Sequence, residues 1–216
     1  MNKKSCNFAP QSTFGIMENR EALNTLNDIK EMMERSSKFK AINGLSIVIV
    51  GILASLVSAY IYFFLGDYHI NTPAKWRTTI VVALVLLVVA FMTVFFMAYL
   101  KAKRHQLRFA MDGTMRRLLL NFFVPMAAGG LLCIALLLQQ HYGLVSSITL
   151  VFYGLALINA SHFSYPALRY LGYFELALGL IDCFLVEYAL LTWFLGFGVA
   201  HIVFGIIFML KYERRK

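Results

Sequence analysis

Residues 169–211 read RYLGYFELALGLIDCFLVEYALLTWFLGFGVAHIVFGIIFMLK. More than forty residues pass with almost no polar interruption. That is too long for one membrane-spanning helix and suits two, at roughly 20 residues each. Four ionisable groups lie inside the run or at the turn within it: Glu175, Asp182, Glu187 and His201. A charged side chain in hydrocarbon costs about 2.5–3.5 kcal/mol on insertion scales, so each is a candidate functional residue.

The whole chain agrees with a membrane reading. It has 216 residues, of which 60% are hydrophobic and 14% charged. A soluble domain is roughly 45–50% apolar and about 25% charged. The apolar runs are long and continuous, which excludes the alternating ten-residue segments of a membrane β-barrel. Cys6, Cys133 and Cys183 lie far apart and make neither a disulfide framework nor a metal spacing. The first residues, Met-Asn-Lys-Lys-Ser-Cys, lack the apolar segment of a cleaved signal.

Taken in order, residues 1–40 form a cytoplasmic segment. Within residues 15–40, Ala22, Leu26, Ile29 and Met33 make one apolar helical stripe. Glu31/Arg35, Lys30/Glu34 and Glu34/Lys38 are opposite charges at i,i+4. This amphipathic helix is too polar to span. It is expected to lie at the headgroups, associate with a second copy, or dock on a cytoplasmic protein. Residues 41–211 form the membrane domain. Its six spans fall near 41–65, 79–100, 118–138, 144–163, 170–186 and 190–210. Pro125 and the pair Gly129–Gly130 permit a kink or a locally unwound turn in the third. Residues 212–216 are a basic tail.

Lys and Arg orient these spans. Seven occupy the first forty residues, six lie in the stretch 101–117, one is Arg169 and four close the chain; only Lys75 and Arg77 fall on the other side. The positive-inside rule then places both termini in the cytoplasm. The net charge of +9 is explained by this distribution, so no direct nucleic-acid contact is expected. The lipid bilayer is the expected partner, and the basic loops can meet anionic headgroups.

Several motifs resemble those of a known group. They are EMMERSSKF at 31–39 leading into Gly44-Leu45-Ser46, FYGLALINAS at 152–161, RYLGYFE at 169–175 and GFGVAHI at 196–202. Together they resemble an uncharacterised family of small bacterial multi-span membrane proteins with a cytoplasmic N-terminal helix, often encoded beside winged-helix transcription regulators. The resemblance implies a bacterial inner membrane and a regulatory setting. It implies no chemistry.

Glu175 and Asp182 are seven residues apart, about 20° from each other around a helix. Gly172 and Gly179 flank them on the same face. Gly198, His201 and Gly205 share a face of the last span. With Asn159 and His162 at the end of the fourth span, these residues are expected to form a polar ladder from the cytoplasm toward the bilayer middle. Three readings follow. The cluster fixes helix packing; it is a proton, ion or small-ligand site; or it holds a metal or haem. Two histidines and two acids could ligate a metal, yet no close-spaced ligand pair supports this, so no metal or other cofactor is expected. Nucleophile-elbow, zincin, phosphate-loop and dinucleotide motifs are missing from the sequence, and no catalytic residue is assigned. The expectation is an all-α polytopic bundle acting as a non-enzymatic regulatory or sensory protein through its cytoplasmic helix. A small proton-coupled carrier or channel using Glu175, His201 and Asp182 is the alternative, and a metal- or haem-binding protein the third.

Overall fold

The computed structural model describes residues 42–66, 73–104 and 113–213. The amphipathic helix expected within residues 15–40 lies outside them, as do residues 214–216 of the tail. The described residues are mostly helical, with no strand among them. Helix α1 is Gly44–Tyr60, continued by a π-helical turn at Ile61–Gly66. Helix α2 is Pro73–Arg104, α3 Gly113–Leu138, α4 Leu144–Ser161 and α5 Leu168–Asp182. A 3₁₀ turn at Val186–Tyr188 then opens a continuous helical rod, Val186–Glu213. Within the rod, α6 (Ala189–Trp193), a π-helical stretch (Phe194–Ala200), α7 (His201–Phe208) and a second π-helical turn (Met209–Glu213) follow one another.

Five of these helices are long and apolar enough to cross a membrane: Gly44–Phe64, Arg77–Arg104, Gly113–Leu138, Leu144–Ser161 and Val186–Glu213. The span expected at 170–186 is α5, which has 15 residues and ends at Asp182. Its C-terminus is closed by the amides of Cys183, Phe184 and Leu185, which bond back to Gly179, Ile181 and Asp182. The turn is built from apolar residues, so the hydropathy pattern hides it. The basic stretch expected as a loop over 101–117 is helical at both ends, up to Arg104 and again from Gly113. The third span is not unwound: α3 runs through Pro125, Gly129 and Gly130. Gly129 instead admits a neighbour, since a Cβ there would sit 2.5 Å from Cβ of Phe152.

Small residues decide which helices touch. Ser147, Gly154 and Ser161 recur every seven residues on α4 and are buried. Gly172 and Gly179 do the same on α5. Gly154 and Gly172 face each other so closely that a Cβ on either would lie 2.7 Å from the other's carbonyl oxygen. Such close backbone approach replaces the hydrophobic drive that helices lack in lipid. A second glycine seam joins α1 to the rod: Gly44 meets Gly205, and Gly51 meets Gly198. Residue numbers rise on one helix as they fall on its partner, so both seams are antiparallel. Helix α3 packs on α4, and α2 packs on α1. The outer surfaces carry exposed Leu, Val, Ile and Phe, most heavily on α2.

The start of α1 and the end of the rod meet at one end of the bundle. Lys101 Nζ of α2 donates to Glu213 Oε1 and to the carbonyl of Ile42, each at 2.6 Å. The amide of Gly44 donates to the same Glu213 oxygen at 3.2 Å. An acid at a helix N-terminus satisfies a free amide and complements the helix dipole. Asn43 caps the next amide, Leu45 N, at 3.0 Å. Tyr165, in the α4–α5 connection, packs here against Phe208 and Tyr212. Burial pushes its phenol up from the usual range, and Glu213 and Tyr212 add to the effect.

Candidate functional site

Helix α5 buries Leu168, Leu171, Gly172, Glu175, Gly179 and Asp182, a 3-4 stripe turned into the bundle. Both acids of the stripe are therefore carried inward, and both have 0% exposure. They lie about 10 Å apart along the helix at 1.5 Å per residue. Their surroundings differ.

Asp182 is held by two hydroxyls. Ser147 of α4 donates to its Oδ2 at 2.8 Å, and Thr192 of α6 donates to its Oδ1 at 2.5 Å. Ser146 bonds the Ala189 carbonyl at 2.9 Å beside them. Three elements are thus pinned at the point where α5 gives way to the rod. The hydroxyls answer the cost of taking a carboxyl out of water.

Glu175 is not held. Neither carboxyl oxygen has a hydrogen-bond partner among the described residues. His201 Nδ1 on α7 lies 3.4 Å from Oε1. Gly196, on the π-helical stretch, makes the room: a Cβ there would meet Oε2 at 2.5 Å and Leu150 Cδ2 at 2.6 Å. His201 is 2% exposed and both of its ring nitrogens are engaged elsewhere. Nδ1 lies 3.0 Å from the carbonyl of Gly196, and Nε2 lies 2.8 Å from the hydroxyl of Tyr153 on α4. A carbonyl can only accept, so Nδ1 carries a proton. With neutral imidazole, Nε2 accepts from Tyr153. Tyr153 also stacks on His201 with ring centroids 5.5 Å apart, and Phe197 lies 5.0 Å from Tyr153 and 5.9 Å from His201. Trp193 and Phe122 extend this aromatic wall. The site is a carboxyl, an imidazole and a phenol enclosed by aromatic rings and helix backbone.

The expected ladder is thus broken in two places. Glu175 and His201 come together as expected. Asp182 shares their face but belongs to its own hydroxyl site. Asn159 and His162 do not join: both are exposed. The reason is geometric. Gly154, Leu157 and Ser161 set the buried face of α4, and Asn159 lies about 200° around the helix from Leu157 and from Ser161 at 100° per residue. His162 caps α4 just beyond its last buried turn. Glu187 is exposed in the 3₁₀ turn that opens the rod. Sequence reasoning missed Tyr153, Ser147 and Thr192. Ser147 and Gly154 share a heptad of small residues, which was the available signal for the first hydroxyl. Among the described residues, no group of three or more His, Cys, Asp or Glu is placed to hold a metal ion.

Comparison with protein-family models, curated proteins and solved structures finds nothing that matches this chain.

Proposed function

We propose that this is a sensory or regulatory membrane protein whose input is read at Glu175 and His201. The observation that carries this is the fully buried Glu175 carboxyl with no hydrogen-bond partner among the described residues. A buried polar group without a partner costs about 1–3 kcal/mol, more when charged. Packing alone has no use for such a group; a site that changes state does. The enclosure of Glu175 and His201 favours a gated response over open conduction. The output follows from the rod. One continuous helix carries His201 near its middle and Glu213 at its end, where Glu213 holds the start of α1. Residues 1–41 precede that junction in the sequence, and the amphipathic segment expected at 15–40 is proposed as the reporter to a cytoplasmic partner or second copy.

The topology in this proposal is six crossings in a bacterial inner membrane with both termini inside. The meeting of Gly44 with Glu213 supports an even number of crossings, because an odd number would separate those ends by the bilayer. Helix α5 then makes the remaining crossing. It covers about 22 Å at 1.5 Å per residue, and the turns at either end complete the passage. The Lys and Arg distribution supports the cytoplasmic assignment.

The test uses purified full-length protein in proteoliposomes and in membranes. The sensory reading expects no proton flux above empty vesicles. It also expects that deleting residues 1–40 removes a cytoplasmic partner whose capture changes with Glu175→Gln. Flux abolished by Glu175→Gln would replace this reading with a proton-coupled carrier. The π-helical stretch at Gly196 and Gly198 is the one feature that favours that second reading, since interrupted helices line transport sites.

A further inference from the structure

The two protonation states of Glu175 make different demands on their neighbours. A carboxylic acid is neutral and costs less to bury than a carboxylate. A carboxylate requires a donor, and within reach stands one N–H, that of His201 Nδ1 at 3.4 Å. That N–H is now given to the carbonyl of Gly196 at 3.0 Å. Gly196 lies five residues before His201, inside the π-helical stretch Phe194–Ala200. The imidazole therefore ties the interior of the π-helical stretch to the residue that follows it. π-Helical turns are rare and concentrate at functional sites, and a change from i→i+5 to i→i+4 closure rotates everything that follows.

We propose that the proton is the ligand of Glu175, and that its loss draws His201 Nδ1–H from the Gly196 carbonyl to Glu175, rewinds the π-helical stretch and turns the rod that carries Glu213. The proposal rests on the sensory reading for its purpose and names the stimulus of that site. The reaction is a proton exchange with water: the Oε–H bond breaks, the proton leaves, and no electron moves. The groups facing Glu175 are few. Tyr153 of α4 and His201 of α7 are the titratable side chains in the pocket. Asp182 stands two turns away on α5 and is occupied by Ser147 and Thr192. Helix α1, across the glycine seam from the rod, carries no titratable group except Tyr60 at its far end. The downstream target is equally defined. Glu213 binds Lys101 and the Gly44 amide, so a turn of the rod loosens the start of α1.

The experiment is amide hydrogen exchange by mass spectrometry on full-length protein in lipid nanodiscs, at acidic and at neutral pH. Rates are corrected for the intrinsic pH dependence of exchange. The expected result is a several-fold change in protection over residues 194–204, accompanied by a smaller change over 42–50. Glu175→Gln is expected to hold the acidic pattern at both pH values. Lys101→Met is expected to keep the response at 194–204 and lose it at 42–50. Protection over 194–204 that is the same at both pH values overturns the switch, as does a full response in Glu175→Gln. Should that variant fail to assemble, Tyr153→Phe is decisive: it removes the donor to Nε2 and must displace the midpoint of the response. A response at 194–204 with no consequence for a cytoplasmic partner would overturn the sensory reading and leave the proton switch standing.

Discussion

Glu175 and Asp182 occupy the same face of one helix, two turns apart, and neither touches solvent. Judged by hydropathy they are the same anomaly. The structure treats them oppositely. Asp182 receives a hydroxyl on each oxygen from two different helices. Glu175 receives none, and its carboxyl packs directly against a glycine on the facing element, where a side chain would not fit. The lesson is that burial depth does not rank intramembrane acids. What ranks them is whether the fold supplies donors. A satisfied acid joins helices. An unsatisfied acid that the fold has left room for is poised to change state.

Five substitutions break or sharpen this contrast, each read by thermal unfolding in detergent. Asp182→Ala has the largest expected effect. It strands the buried Ser147 hydroxyl at about 1–3 kcal/mol, while Thr192 keeps the carbonyls of Tyr188 and Ala189, and it leaves a cavity where the carboxyl stood, so a loss near 3 kcal/mol is expected. Gly196→Ala comes next. Its methyl would press on both Glu175 and Leu150, and overpacking of this kind costs about 1–3 kcal/mol. Gly130→Ala, with nothing within 4 Å, is its control and should gain up to about 1 kcal/mol of helix propensity. Thr192→Val removes one donor and keeps the shape, for an expected loss of about 1–2 kcal/mol. Glu175→Gln is expected to change stability by less than about 1 kcal/mol in either direction, because no hydrogen bond is broken. A loss for Glu175→Gln as large as that for Asp182→Ala would erase the distinction between the two acids.

Much of the architecture was legible in the sequence. The 3-4 spacing of Gly172, Glu175, Gly179 and Asp182 announced a buried stripe, and burial followed. The long apolar runs gave the membrane helices. The pairing of Glu175 with His201 was accessible because both sit beside glycines on inward faces. Other features were not legible, for identifiable reasons. The end of α5 falls in Cys183-Phe184-Leu185, which carries no glycine, proline or charge. Asn159 and His162 are polar and near a helix end, but the phase of α4 turns Asn159 outward and the end of the helix leaves His162 exposed. Ser147 and Thr192 are neutral hydroxyls, which cost little in a span and raise no alarm until a partner is seen. The π-helical stretch depends on what meets Gly196 and His201 from α4 and α5, and no local pattern encodes that.

The central claim is that Glu175 exchanges a proton within the folded bundle. Infrared difference spectroscopy between acidic and neutral pH tests it directly on the full-length protein in lipid. The account predicts a carboxylic-acid carbonyl band that disappears in Glu175→Gln and persists in Asp182→Asn. A band that survives Glu175→Gln, or that is lost with Asp182→Asn alone, would contradict it.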